Sequence, residues 1–135
     1  MPVSRRRRYA RATATAAAAV LTTLAAVPAG ADAQGMSGGL FLTVSGYGDT
    51  WIRGVQLTCP DTGGSHPHGA AACDALTRAG GDMDRLPKAP RPCTKEYDPV
   101  SVSAIGTWNG VAVDWRKRFP SPCTLEAATG AVFRF

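Results

Sequence analysis

Val100-Ser101-Val102-Ser103-Ala104-Ile105-Gly106-Thr107-Trp108-Asn109-Gly110-Val111-Ala112-Val113-Asp114-Trp115 decides the fold. From Val100 to Ile105 apolar residues alternate with hydroxyls, the period of two that puts one face of a strand on a core. Thr107-Trp108 and Val111 to Trp115 then flank Asn109-Gly110, a pair suited to a two-residue turn whose central positions both need positive φ. The stretch predicts a β-hairpin and, with it, an antiparallel sheet.

Outward from this hairpin the same period recurs. Trp51, Arg53, Val55, Leu57 and Cys59 alternate with Ile52, Gly54, Gln56 and Thr58. Leu40 to Val44 is a short apolar run that ends in the turn-rich Ser45-Gly46-Tyr47-Gly48-Asp49. These two runs predict a second hairpin. Ala131 to Phe135 reads as a closing fifth strand, and Pro120-Ser121-Pro122-Cys123 before it as loop. Between the hairpins, Cys59 to Gly69 is rich in breakers and reads as loop. Ala70 to Ala79 has high helix propensity and is stopped by Gly80-Gly81. Cys73 and Leu76 fall three apart there, which turns the cysteine inward. Asp82 is placed to cap one further turn, Met83 to Leu86, before Pro87. The expectation is α+β: a five-stranded antiparallel sheet with helices on one face.

The first 33 residues read as a signal peptide. Arg5, Arg6, Arg7, Arg8 and Arg11 form a positive head, Ala12 to Val27 is uncharged and mostly apolar, and Ala31-Asp32-Ala33 has the small-x-small form that signal peptidase cleaves. The apolar run falls short of the roughly 20 residues of a membrane span. Cleavage there leaves residues 34–135 as one domain, secreted and extracellular. It also removes five of the 15 basic residues and one of the ten acidic ones, leaving ten against nine and a net charge of +1 instead of +5. The basic character belongs to the leader, so no nucleic acid partner is expected.

All four cysteines, Cys59, Cys73, Cys93 and Cys123, lie in the mature part. An even count in an exported domain implies two disulfides, with three connectivities open. Sequential pairing closes the shortest loops and contributes on the order of 3 and 3.5 kcal/mol on the chain-entropy model. A zinc site needs closely spaced ligand pairs, and no Cys-x-x-Cys occurs. His66 and His68 sit in a Gly/Pro loop without a third ligand nearby and read as a solvated pair. Asp82 and Asp84, two apart on a short helix, face away from each other. Neither a Gly-x-Ser-x-Gly nucleophile motif nor a Gly-rich phosphate loop is present. No metal, no cofactor and no enzymatic activity are expected.

Arg91-Pro92-Cys93-Thr94-Lys95-Glu96-Tyr97-Asp98-Pro99-Val100 is different. A lone lysine stands two residues after a cysteine, with a stiff Pro87 to Pro92 approach and an Asp-Pro exit. A protease binds its substrate extended, with main-chain groups paired by β-augmentation. A loop held in that form loses little entropy on binding. These residues point to a protease inhibitor; a disulfide-stabilised module for a non-protease partner is the alternative.

The mature chain resembles the Streptomyces subtilisin inhibitor family of secreted serine-protease inhibitors. The resemblance is carried by Leu57-Thr58-Cys59, His66-Pro67, Ala72-Cys73, Gly80-Gly81-Asp82, Cys93-x-x-x-Tyr97-Asp98-Pro99-Val100, Gly106-x-Trp108-x-Gly110 and Val132-Phe133-x-Phe135. It implies sequential disulfides, Cys59–Cys73 and Cys93–Cys123, a five-stranded sheet with two short helices, and a homodimer. It also implies that Lys95–Glu96 is the reactive bond, with Pro92, Cys93, Thr94 and Tyr97 in the protease-contact loop. Lys95 would suit trypsin-like enzymes, with subtilisin-like enzymes as further partners. Thr94 stands where family members usually carry proline, and Pro92 where subtilisin-like enzymes favour a large apolar side chain.

Overall fold

The computed structural model describes residues 37–60 and 63–135. The expected signal peptide and its cleavage site lie outside the described residues. Four strands and two α-helices follow one another as β1 (Gly38–Ser45), β2 (Ile52–Cys59), α1 (Gly69–Ala79), β3 (Val100–Trp108), β4 (Val111–Phe119) and α2 (Pro122–Thr129). The sheet is antiparallel throughout, in the order β2-β1-β3-β4.

The Asn109-Gly110 turn joins β3 to β4 as its sequence predicts, with φ of 49° and 79° at the two central positions. Alternation sends Leu40, Leu42 and Val44 of β1, Leu57 and Cys59 of β2, and Val100, Val102, Ala104 and Trp108 of β3 to one buried face. Gly106 lies in this row with φ of 151°, and a Cβ there would meet the Gly39 carbonyl oxygen at 2.0 Å. Only glycine lets β3 pass that close to β1. α1 contributes Ala72, Cys73, Ala75, Leu76 and Ala79 to the same core, so the three-and-four spacing does turn Cys73 inward. Gly80, left-handed at φ 64°, ends the helix, and its N–H and that of Gly81 satisfy the Thr77 and Leu76 carbonyls. Asp82 caps the short 3-10 turn Met83–Arg85 by accepting from the Asp84 N–H.

The sheet has four strands, not five. Ala131 to Phe135 does not pair with it. Val132 N–H bonds back to Thr129 and Arg134 N–H to Ala131, so the chain coils while Val132 and Phe133 are driven into the core. The apolar pattern of the tail signals burial, which a coil meets here as well as a strand would. Pro120 to Cys123 is likewise not all loop, because α2 begins at Pro122. Ser121 is its N-cap: its hydroxyl accepts from Thr124 N–H while the Thr124 hydroxyl accepts from Ser121 N–H. Pro122 occupies the first helical position, where its missing N–H costs nothing. β4 runs four residues past Trp115, its end carrying Arg116, Lys117 and Arg118. Such charges are common on an edge strand, where they deter pairing with another chain.

Candidate functional site: the loop before β3

The segment from Leu86 to Pro99 has no regular secondary structure, yet it is fixed at a series of points along α2. The last carbonyls of a helix lack partners of their own. Ala89 N–H takes one of them, bonding to the Ala127 oxygen at 2.9 Å. Arg91 forms an ion pair with Glu126, also on α2. Cys93 is joined to Cys123, in the first turn of α2, with the Cα atoms 5.8 Å apart. The capping box on Ser121 thereby sets the position of the sulfur that holds the loop. On the exit side, Asp98 N–H bonds to the Pro120 oxygen at 3.0 Å, and Pro99 and Val100 are buried as β3 begins.

Between these fixed points four residues stand free. Thr94, Lys95, Glu96 and Tyr97 are all exposed, Tyr97 at 73%. Neither Lys95 nor Glu96 makes an ion pair or side-chain hydrogen bond to another described residue. The expected contact residues Pro92, Cys93, Thr94, Lys95, Glu96 and Tyr97 therefore form one continuous exposed stretch around a half-buried sulfur. Beyond them, a shallow cleft lies between Tyr97, Pro99, Arg118, Phe119 and Pro120.

The second disulfide, Cys59–Cys73, ties β2 to α1 and lies in the core. The sequence left three connectivities open, and the structure has the sequential one. His66 departs from expectation. It is not solvated but buried, with Nδ1 accepting from His68 N–H at 2.9 Å. Nε2 must then carry the proton that it donates to the Val132 carbonyl, also at 2.9 Å. The Phe135 ring packs edge-on at 5.5 Å. His66 thus fastens the β2–α1 loop to the C-terminal coil, while His68 is exposed as expected. Among the described residues no group of three His, Cys, Asp or Glu side chains is placed to hold a metal ion.

Sequence reasoning missed α2 and with it the residues that anchor the loop: Ser121, Thr124, Glu126 and Ala127. Ser121-Pro122-x-Thr124 with Gly130 beyond was the available signal. Two prolines in four residues hid it.

Residues 37–121 match the family model described as subtilisin inhibitor-like, and the chain belongs to this family, one of inhibitors and not of enzymes. It is 40% identical to a subtilisin inhibitor of Streptomyces violaceus, over 92% of this chain and 94% of that protein. It is 46% identical to a subtilase-type protease inhibitor of Streptomyces fradiae over 62% of this chain, a match that spans only 61% of the relative's length. Among solved structures it is similar to sermetstatin of Streptomyces caespitosus, crystallised in complex with Bacillus licheniformis subtilisin. That likeness has a TM-score of 0.58 and 34% identity, covering 75% of this chain and all of that one.

Proposed function

We propose that the protein is a secreted inhibitor of serine endopeptidases, exported by the 1–33 signal peptide and active as residues 34–135. It offers the Lys95–Glu96 bond to the enzyme as a substrate would. One observation carries this reading: four consecutive exposed residues, Thr94 to Tyr97, lie between a disulfide on one side and a backbone hydrogen bond on the other.

The enzyme's serine attacks the Lys95 carbonyl, the bond to the Glu96 nitrogen breaks, and the enzyme's histidine protonates the departing amine. In a free peptide that amine diffuses away. Here Lys95 remains tied through Cys93 to α2, and Glu96 through Asp98, Pro99 and Val100 to the sheet. The amine stays beside the acyl-enzyme and re-forms the bond before water replaces it. The cost of ordering the loop has been met in folding, so little is lost on binding. Lys95 selects trypsin-like enzymes, whose specificity pocket holds a carboxylate. Subtilisin-like enzymes are the second class, supported by the enzyme found with the similar solved structure.

The protein acts as a homodimer. At the centre of the outer sheet face, β1 and β3 carry no charge, and Phe41 and Ile105 stand exposed side by side, while β4 adds Asp114, Arg116 and Arg118 at the rim. A face with an apolar centre and a charged rim is suited to a second copy. Phe41→Asp should leave a monomer in sedimentation equilibrium; an unchanged association would remove this face from consideration.

Titration against active-site-quantified trypsin and subtilisin tests the whole reading. Lys95→Asp sets like charges together and should cost trypsin affinity roughly three orders of magnitude or more. Lys95→Met should lose trypsin and keep subtilisin. Lys88→Ala and Lys117→Ala should change little. If neither enzyme is inhibited by the parent protein, the loop serves a non-protease partner instead.

A further inference from the structure

The hairpin tip joining β1 to β2 lies at the same end of the sheet as the loop. Ser45 pairs with Ile52 on one side and with Ser101 on the other, so the tip leaves the sheet beside the point where Pro99 and Val100 enter it. Only β1 intervenes between the two, which places Ile52 roughly 10 Å across the sheet from the start of β3. Within six residues this tip carries three exposed large apolar side chains, Tyr47 and Ile52 at 65% each and Trp51 at 40%.

The backbone of the tip and the Trp51 ring are held, not loose. Gly46 N–H bonds to the Trp51 oxygen and Asp49 N–H to the Gly46 oxygen, both at 3.0 Å. A Cβ on Gly46 would meet the Trp51 indole at 2.4 Å, so the ring lies flat against that backbone. The Arg53 guanidinium covers the ring, 5.3 Å from its centre. Trp51 also lines a cleft with Pro122 and Glu126. Pro122 precedes the cysteine bonded to Cys93, and Glu126 pairs with Arg91. The tip and the loop are thus two walls of one end of the molecule.

A stable protease–inhibitor contact covers about 800 Å² on each partner, a patch some 30 Å across. The six loop residues Pro92 to Tyr97 do not fill it, since such a patch takes about 20 residues or more. We propose that the Tyr47–Ile52 tip is a second contact site for the protease that the loop holds, with Tyr47 and Ile52 as its apolar anchors. A large exposed side chain on a fixed turn next to a primary contact, a tyrosine above all, is the kind that carries binding energy. The proposal rests on the Lys95–Glu96 reading.

Hydrogen exchange of the intact protein, free and bound to active-site-titrated subtilisin, tests it together with Tyr47→Ser, Ile52→Ser and their combination. Val111→Ser is the control, equally exposed at 68% but beside the Asn109-Gly110 turn at the opposite end of the sheet. Amides 46–53 should become protected along with 94–98. The double variant should bind subtilisin about 10- to 100-fold more weakly, with an unchanged thermal midpoint, while Val111→Ser binds as the parent does. Cleavage of the parent at Lys95–Glu96 with parent-like binding by the double variant would overturn the second site and leave the reactive bond standing. Absence of that cleavage would remove the reactive bond first. An altered oligomeric state without protection of 46–53 by the enzyme would make the tip a self-association surface and overturn the proposal.

Discussion

The two disulfides have similar geometry and different duties. Cys59–Cys73 is sealed in the core between β2 and α1, and its loop is fastened again by His66. Cys93–Cys123 is half-exposed at the start of α2, and the residues after it stay free. Chain entropy assigns them comparable contributions, about 3 and 3.5 kcal/mol. The first fixes the fold; the second fixes what the fold displays. Removal of either bridge should therefore cost similar stability, and removal of the second alone should also cost inhibition.

Cys93→Ala with Cys123→Ala should have the largest effect. Inhibition should disappear even where circular dichroism shows a folded sheet, and the variant should be digested by trypsin as a substrate. Inhibition as tight as the parent's would break the division of labour. Cys59→Ala with Cys73→Ala should cost about 3 kcal/mol or more of unfolding free energy in urea, since core burial is lost with the cross-link. The protein that remains folded should inhibit normally.

His66→Ala sharpens the contrast on the core side. It leaves the Val132 carbonyl and the His68 N–H without their partner, which should cost about 1–3 kcal/mol, with no change in inhibition by the folded protein. The smallest effect belongs to Asp84, whose carboxyl is held below its ordinary value of 3.8 by hydrogen bonds from Lys117 and Trp115. A depressed carboxylate stabilises the fold above its unfolded pKa, and that contribution fades as pH falls through the lower folded value. Asp84→Asn should accordingly flatten the loss of stability below about pH 4 by a small margin, measured by thermal unfolding across pH.

Much of this was legible in the sequence because local chemistry dictated it. Asn109-Gly110 had to be a turn, Gly80 had to end α1, and the period of two had to mark strands. The loop was legible for a different reason: cysteine, prolines and Asp-Pro each restrict the backbone. What stayed hidden depended on tertiary partners. The Val132-Phe133-x-Phe135 pattern signals burial but not pairing, and nothing local distinguishes a buried coil from a strand. His66 looked solvated because its partners, Val132 and Phe135, lie far along the chain. The anchors on α2 were hidden by prolines that favour both loops and helix starts.

The most direct test of the central claim is the identity of the bond that a protease nicks. Prolonged incubation with catalytic amounts of trypsin or subtilisin at mildly acidic pH should yield a species heavier by one water, still joined by Cys93–Cys123. On reduction it should separate into one chain ending at Lys95 and another beginning at Glu96. A nick at any other bond, or stepwise degradation without a stable nicked form, would contradict the account.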